Sequence, residues 1–234
     1  MKLTYYGYNA FVIEGEGKTL ILDPGQDLYW RRLDSLIPRS LWPQANLILV
    51  THGDADHAEY VVQVAEASGA PVVCSPPLAE RWRRKGVTVV PIAPGQTVEA
   101  AEVPVQGVAV RHGPLLNLFG RSLTLKDGED SVGLLFTLDE RRLLILGDTM
   151  LLEDAWRGLR PDVLLVPIGG VMTMNVDQAL QAVAAIEPQV VIPVHYNWHA
   201  LFYRHPADVK RFSASVRQIG SICLPLVRGE TAEL

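Results

Sequence analysis

A segment of seven residues carries four side chains that can bind divalent metals. Residues 51–57 read Thr-His-Gly-Asp-Ala-Asp-His, which places His52, Asp54, Asp56 and His57 within six positions. Histidine nitrogens and aspartate oxygens bind divalent metals without any cysteine. An apolar strand precedes the segment and a helical pattern follows it, so both ends of the turn would be held. The spacing therefore predicts a metal-binding turn between a buried strand and a helix.

Five apolar segments of β type each lead into an Asp or a His. These are Thr19–Leu22 before Asp23, Leu47–Thr51 before His52, Val108–Arg111 before His112, Leu143–Gly147 before Asp148, and Val190–Val194 before His195. Strand ends at one edge of a sheet converge in space, and sites built there are held rigidly. The chain has six His, and three of them hold these positions. We therefore expect these residues and the turn to form one site.

The turn and the later strand ends supply seven predicted metal ligands. They are His52, Asp54, Asp56, His57, His112, Asp148 and His195. This number suits two metals bridged by one carboxylate, although a single metal is the alternative. Two metals about 3.5–4 Å apart can share one water and present it as hydroxide at neutral pH.

A purely structural role is the alternative for each of these residues taken alone. A single His at a strand end is more often a hydrogen-bonded structural residue than a ligand. An Asp before a helix is usually an N-cap, and Asp54 and Asp56 could each be only that. Capping does not require His at both ends of the turn, nor three further strands that end in His or Asp. The combined pattern favours metal binding.

The order of elements predicts an α/β fold with two mixed sheets packed face to face and helices outside. The predicted helices span 56–67, 78–85, 151–159, 175–186 and 206–219, with Pro206 in the first turn of the last one. A final edge strand is predicted at Leu224–Val227. The pattern has no clear linker, so residues 1–234 are expected to form a single domain.

Composition limits the classes of partner. The chain has 234 residues, 48% of them hydrophobic, and a net charge of −5, which argues against nucleic-acid and anionic-membrane partners. Cys74 and Cys223 form neither a disulfide framework nor a zinc site, and two buried thiols are expected. No signal peptide or membrane span is recognisable, so we expect a cytoplasmic protein that acts on a small molecule. Assembly into a homo-oligomer stays open.

Together these motifs resemble the signature of the metallo-β-lactamase superfamily. That signature is His-x-His-x-Asp-His after a strand, then a lone His, an Asp in a Gly-Asp pair and a final His. The resemblance covers nearly the whole chain, from Leu20 to His195. It implies a four-layer αβ/βα sandwich with the metals at one edge. The opening segment 6–14, Tyr-Gly-Tyr-Asn-Ala-Phe-Val-Ile-Glu, is most similar to the small branch that includes ascorbate-6-phosphate lactonase-like enzymes.

The resemblance implies a role for each predicted ligand. His52 and His112 would hold the first metal, Asp56, His57 and His195 would hold the second, and Asp148 would bridge the two metals. Asp23 would support the metal turn from behind without touching a metal.

Two positions depart from the family pattern. Asp54 stands where most members have His, which adds an oxygen donor and shifts preference from zinc towards manganese or iron. It could also weaken the first site enough to leave one metal. Tyr8 and Asn9 stand where many small-branch relatives have Gly and His, which puts the role of that His in question here.

The predicted reaction is hydrolysis by a metal-bound hydroxide at a site with one or two metals. Zinc is the first expectation and manganese or iron the alternatives. Asp56 and Asp148 are the predicted catalytic residues, with Asp56 orienting or deprotonating the water. His199, Tyr196 and Asn197 are candidates for substrate contact or proton donation.

The substrate is expected to be a small lactone, an ester or a phosphate-bearing metabolite. A phosphodiesterase or nuclease is the alternative, because metallo-β-lactamase domains of DNA-uptake proteins carry a comparable His-x-Asp-x-Asp-His motif. A metal-binding module without catalysis is the third hypothesis.

Overall fold

Two mixed β-sheets of seven strands each form the centre of the fold. The computed structural model describes residues 1–28, 33–113, 130–196 and 207–234, together with the backbone of 116–118 and 121–123. The first sheet contains β1 (Lys2–Gly7), β2 (Ala10–Gly15), β3 (Lys18–Leu22), β4 (Leu47–Leu49), β5 (Val72–Cys74) and β6 (Val89–Pro91). Strand β16 (Thr231–Glu233) joins this sheet beside β1. The second sheet contains β7 (Thr97–Ala100), β8 (Val103–Val108), β11 (Gly133–Leu138), β12 (Arg141–Ile145), β13 (Val163–Pro167), β14 (Val190–Val194) and β15 (Ile222–Cys223). A separate hairpin is formed by β9 (Leu116–Leu118) and β10 (Arg121–Leu123).

Each sheet has a parallel half whose strand ends lie at the same edge. Strands β3, β4, β5 and β6 run parallel in the first sheet, and β12, β13, β14 and β15 run parallel in the second. The remaining pairings are antiparallel. The predicted convergence of strand ends requires such parallel neighbours, and both sheets have them.

Helices cover the outer face of both sheets. They are α1 (Ala55–Ala58), α2 (Val61–Ser68), α3 (Pro76–Arg83), α4 (Glu153–Trp156), α5 (Val176–Ile186) and α6 (Val209–Ile219), with a 3₁₀ helix at Arg39–Gln44. No helix among these ranges is both long and apolar enough to cross a membrane.

Alternating side chains along the central strands define the four layers. In β4, Leu47 and Leu49 belong to the core between the sheets, whereas Ile48 packs against the helices of the first layer. In β12, Leu143 lies between the sheets and Leu144 packs under the helices of the last layer. Full burial of each such side chain contributes about 1.5–3 kcal/mol. The predicted αβ/βα sandwich is confirmed, with the core between the sheets shared by residues of both halves of the chain.

The predicted helix over 56–67 is wrong in one respect, because two helices replace it. The amide of Tyr60 donates to the carbonyl oxygen of Pro24 at 3.0 Å, so that amide does not continue the helix that begins at Ala55. The chain therefore turns between α1 and α2. This break keeps the short helix α1, which carries Asp56 and His57, against the segment that follows β3.

The C-terminal expectations need correction too. Helix α6 begins at Val209, because the Asp208 carboxylate accepts a hydrogen bond from the amide of Arg211 at 2.9 Å and caps it. Pro206 is therefore not in its first turn and lies outside the described residues. The predicted strand Leu224–Val227 is absent; the last strands are β15 and β16. The predicted helix 151–159 shortens to α4.

Candidate metal centre

The predicted ligands come together where the strand ends of the two sheets meet. Their donor atoms form three overlapping groups, each with all atoms within 4.8 Å of one another. These groups are His52 with Asp54 and His112, His52 with His57 and Asp148, and Asp56 with His57 and His195. All seven residues predicted from spacing therefore lie in one cluster.

The distances within the cluster match the spacing of donors around one metal ion. His195 Nε2 lies 3.4 Å from Asp56 Oδ2 and 3.1 Å from Asp148 Oδ2, and His57 Nε2 lies 3.5 Å from Asp56 Oδ2. Ligands bound tetrahedrally at about 2.0–2.2 Å from a zinc ion are roughly 3.4 Å apart. The donors thus have the spacing of metal ligands, and of these three pairs only His195 with Asp148 also lies within ordinary hydrogen-bond range.

Buried nitrogen atoms with no hydrogen-bond partner point to the same use. Among the described residues, Nε2 of His52, His57 and His112 makes no hydrogen bond although each atom is buried. A buried polar atom without a partner costs about 1–3 kcal/mol. A divalent cation would remove this cost for all three nitrogens, so the residues present fit a metal.

Asp54 reaches the cluster although it could have been only a helix cap. It occupies the N-cap position of α1, yet its side chain makes no capping hydrogen bond. Its Oδ2 lies 3.7 Å from His52 Nε2 and 3.5 Å from His112 Nε2. The Asp54 side chain is also 45% exposed, against 14% or less for His52 and His112. The carboxylate therefore takes the position of a ligand at the open side of the centre.

Asp148 lies close to three of the histidines in the cluster. One oxygen lies 3.6 Å from His57 Nε2, and the other lies 3.9 Å from His112 Nε2 and 3.1 Å from His195 Nε2. The residue follows Gly147, whose left-handed backbone (φ +63°) brings it so close to Thr51 that a Cβ would meet that side chain. This approach places the end of β12 beside the turn of the first sheet. Asp148 thus stands where a bridging carboxylate would be.

Asp23 holds the metal turn through a buried network. Its Oδ1 accepts from the Thr51 amide at 2.8 Å, and its Oδ2 accepts from Thr51 Oγ1 at 2.7 Å. Its Oδ2 also lies 2.8 Å from His57 Nδ1. With Nδ1 directed to this carboxylate, His57 turns Nε2 towards the cluster, where it can bind a metal once its proton is displaced. Asp23 itself takes no position in the three groups and supports them from behind.

The backbone after Asp23 clamps the turn from its other side. The amide of Gln26 donates to the carbonyl oxygen of Ala55 at 2.8 Å. Gly25 packs against the backbone of Asp56 and His57 so closely that a Cβ would overlap the Asp56 carbonyl. Only glycine permits this approach. The segment after β3 therefore fixes both the position and the orientation of α1.

His112 leaves the second sheet before it reaches the cluster. Strand β8 ends at Val108 rather than continuing to Arg111, so the residue stands four positions beyond the sheet. Its Nδ1 lies 2.8 Å from the Gly113 carbonyl oxygen, and a proton donated there leaves Nε2 free to bind a metal. The Gly113 amide in turn donates to Met172 at 2.8 Å. A hydrogen-bonded loop thus carries this predicted ligand.

Charges in the cluster are strongly coupled. Burial alone would lower the pKa of His57, but Asp56 and Asp148 outweigh it and raise this pKa well above its ordinary value. Burial alone would raise the pKa of Asp56, but His57 and His195 bring it well below its ordinary value. Burial, with the neighbouring His57 and His112, lowers the pKa of His52. His52 is therefore a neutral imidazole, and Asp56 is an ionised carboxylate; both are forms that bind metals.

Of the three candidates for substrate contact or proton donation, only Tyr196 falls within the described residues. His199 and Asn197 lie outside the described residues. Tyr196 is buried, and its hydroxyl donates to the carbonyl oxygen of Leu226 at 2.8 Å. Because a phenol has a single proton and the Leu226 carbonyl accepts it, Tyr196 does not protonate the leaving group of a substrate in this arrangement.

Sequence reasoning missed two supporting side chains. Thr51 supplies two of the hydrogen bonds to Asp23, and Asn9 Nδ2 donates a further one to Asp23 Oδ2 at 2.7 Å. Asn9 is fully buried. The signal available was an isolated amide ahead of the apolar strand β2, at a position already noted as a departure from the family pattern.

Comparisons with known proteins agree with the fold and with a metal-dependent hydrolase. The family model described as "Beta-lactamase superfamily domain" matches residues 2–195. A UPF0173 metal-dependent hydrolase of Thermoplasma acidophilum is 34% identical over 225 residues, covering 94% of this chain and 93% of the relative. One from Carboxydothermus hydrogenoformans is 33% identical and covers all of both chains. The structure of Igni18, a metallo hydrolase from Ignicoccus hospitalis, superposes with a TM-score of 0.76 at 25% identity, covering 99% of this chain and 97% of that one.

Proposed function

The chain belongs to the metallo-β-lactamase superfamily of metal-dependent hydrolases, and from this membership we propose that it hydrolyses a small lactone, ester or phosphate-bearing metabolite at a centre of two metals. The observation that carries the proposal is the cluster of seven His and Asp donors at the meeting edge of the two sheets. We call His52, Asp54 and His112 the first group and Asp56, His57 and His195 the second group. Each group would hold one metal, and Asp148, which lies near ligands of both, would be shared between them.

Charge balance supports two metals rather than one. Three carboxyl groups face the cluster, those of Asp54, Asp56 and Asp148, and each would carry a negative charge when it binds a metal. One divalent cation cannot neutralise them, whereas two leave a small excess of positive charge. Such an excess suits the negative charge that develops on the substrate oxygen during hydrolysis.

The metals, when bound, supply Lewis acidity, which lowers the pKa of water and stabilises the negative charge of the transition state. The residues of the chain do the positioning. Asp56 remains ionised beside His57 and His195, and it accepts a hydrogen bond from the attacking water. A carboxylate with a low pKa is a weak base, so Asp56 orients this water rather than removing its proton.

Asp54 sets the metal preference of the first group. It supplies an oxygen where the family pattern has an imidazole nitrogen, and manganese and iron accept oxygen ligands more readily than zinc does. We therefore propose zinc in the second group and a harder metal, manganese or iron, as a strong competitor in the first. The exposed side chain of Asp54 also marks the described part of the centre that a substrate can approach.

The substrate class is narrowed by chemistry and by resemblance. The net charge of −5 opposes a polyanionic nucleic acid, so a small molecule is favoured over a nuclease substrate. The similarity of the opening segment to ascorbate-6-phosphate lactonase-like enzymes makes phosphorylated sugar lactones the first compounds to test. Simple esters and small phosphate esters follow, because the same centre can attack either carbon or phosphorus.

The test is a hydrolysis screen of the purified protein loaded separately with zinc, manganese and iron. The panel contains sugar lactones with and without phosphate, aryl esters, and an aryl phosphodiester. We expect hydrolysis in at least one class, and a loss of about 100-fold or more in kcat/KM for Asp148→Ala. This magnitude follows because even partners behind a ligand cost 10–100-fold.

A matched variant separates loss of the centre from loss of fold. Asp177→Ala removes an exposed carboxylate that pairs with Arg211 on the helical face, away from the cluster. It should keep full activity. No activity in any class with any metal, or equal activity in Asp148→Ala and wild type, would contradict the proposed function. Activity on the phosphodiester alone would replace the metabolite hydrolase with a phosphodiesterase.

A further inference from the structure

The turn between β1 and β2 lies directly behind the metal centre. It consists of Tyr8 and Asn9, and both side chains are buried. Tyr8 takes a left-handed backbone conformation (φ 48°), which L-residues with large side chains rarely adopt. Such conformations persist only where the surroundings hold them. The turn is therefore held in place by contacts beyond its own strands.

The contacts from outside its own strands come from the second sheet, and Tyr5 of β1 adds one. The carbonyl oxygen of Tyr8 accepts from the amide of His195 at 3.1 Å and from the hydroxyl of Tyr5 at 3.3 Å. The ring of Tyr8 also meets the His195 imidazole edge-on, with the ring centres 5.3 Å apart. His195 is itself left-handed (φ 57°). The turn and the ligand at the end of β14 thus fix one another, which gives the neighbouring Asn9 a rigid base.

Asn9 acts on a second ligand of the same group, His57. Its Nδ2 donates to Asp23 Oδ2 at 2.7 Å, and the same oxygen lies 2.8 Å from His57 Nδ1. The Asn9 side-chain oxygen is buried and makes no hydrogen bond to any described residue. The amide is therefore oriented by a single strong contact, the one with the carboxylate that orients His57.

We propose that Asn9 is a positioning residue of the metal centre, which orients His57 through Asp23. The inference rests on the proposed function, because it requires that His57 binds a metal. Asp23 is also left-handed (φ 43°), and its carboxylate is shared by Thr51, His57 and Asn9. Without the Asn9 amide, the carboxylate can rotate about its remaining contacts, and the imidazole that it orients turns with it.

The experiment titrates metal-free protein with cobalt(II) alone, followed by visible absorption and by competition with a chelator. Asn9→Leu removes the donor at similar volume and should weaken cobalt binding by about 10–100-fold. It should also change the absorption bands, because a rotated imidazole alters the ligand field. Asn9→His offers a ring N–H to the same carboxylate and should restore binding to within a few-fold of wild type.

Asn46→Leu is the matched control for loss of an asparagine hydrogen bond near the same strand. Asn46 Oδ1 accepts from the Thr19 amide at 2.7 Å, at the far end of β3 from Asp23. The Asn46→Leu variant should bind cobalt with the same affinity as the wild type. Circular dichroism checks that each variant is folded, and Asn9→Ala, which adds no atoms, replaces Asn9→Leu if the latter does not fold.

The possible failures are distinguishable. Equal cobalt affinity and equal spectra for wild type and Asn9→Leu would overturn the positioning role while leaving the metal centre intact. If cobalt binding is weakened in Asn9→Leu and is not restored in Asn9→His, the role of Asn9 is one of packing alone, and the proposed positioning role is overturned as well. A wild type that binds no cobalt would overturn the metal centre and this inference together.

Discussion

At the residue scale, two imidazoles of the centre are each oriented through Nδ1. His57 directs Nδ1 to Asp23, and His112 directs Nδ1 to the Gly113 carbonyl. In both, Nε2 faces the cluster, so these two rings are oriented before a metal arrives. Orientation of this kind reduces the cost of ordering the ligands when the metal binds.

Asp54 offers the sharpest test of a single ligand. In Asp54→His, an imidazole replaces the oxygen donor, so affinity for zinc relative to manganese should rise by about tenfold or more. Competition titrations of the two metals against a common chelator measure this ratio. Asp34→His, at an exposed carboxylate paired with Arg39, is the control and should leave the ratio unchanged. An unchanged ratio in Asp54→His would mean that residue 54 is not a ligand.

Most of the predicted ligands could be identified from the sequence, because strand ends followed by His or Asp are a local signal. Asn9 could not be assigned, because its partner Asp23 is 14 residues away and the contact depends on the left-handed turn at Tyr8. Neither feature has a local signature. The proton-donor hypothesis for Tyr196 failed for the same reason, because Leu226 is 30 residues distant along the chain.

At the element scale, the short helix α1 is stabilised by the segment that follows β3 rather than by its own sequence. Its four residues are too few to be stable alone. The segment 24–26 supplies the missing support, through Gly25 against the Asp56 backbone and through two hydrogen bonds to Ala55 and Tyr60. The helical pattern over 56–67 could be read from the sequence, but the break at Tyr60 depends on Pro24, which no periodicity reveals.

Gly25→Ala tests this clamp. The added Cβ would overlap the Asp56 carbonyl, so the turn must move, with a cost of about 1–3 kcal/mol in the free energy of unfolding. The metal content per chain of the Gly25→Ala variant should also fall. Gly69→Ala is the control, because Gly69 is left-handed (φ +74°) but has open space around it. It should lose about 1–2 kcal/mol of stability and keep its metal. Full metal content in Gly25→Ala would show that the clamp is dispensable.

At the scale of the whole molecule, the centre joins the two halves of the sandwich. His52, Asp54, Asp56 and His57 come from the first sheet, and His112, Asp148 and His195 come from the second. The core between the sheets contains residues of both, from Leu3 to Val194. Both sheets could be predicted because apolar runs alternate with helical patterns. Strands β15 and β16 could not, because they consist of two and three residues whose pairing is set by distant partners.

The two cysteines lie in different halves of the sandwich, so the reactivity of each thiol measures the unfolding of its own half. Cys74 packs under the helices of the first layer and Cys223 under those of the last. Burial raises the pKa of Cys74 to about 12, so almost no thiolate forms at pH 8. Burial raises the pKa of Cys223 as well. We expect neither thiol to react with a disulfide reagent at pH 8 in the native protein.

In increasing denaturant, both thiols should become reactive at the same midpoint, because the halves share one core. Mass spectrometry after brief labelling assigns each site, and fully denatured protein gives the labelling maximum. Separate midpoints would contradict the expectation that residues 1–234 unfold as a single domain.

The most direct test of the account is the metal content of the chain, measured by elemental analysis on protein prepared without added metal. We expect two metal ions per chain in the wild type and less than one in Asp148→Ala, because the Asp148 carboxylate lies near His112 of the first group and His195 of the second. A wild type that contains no metal, or an Asp148→Ala variant that contains as much as the wild type, would contradict a metal centre that depends on Asp148.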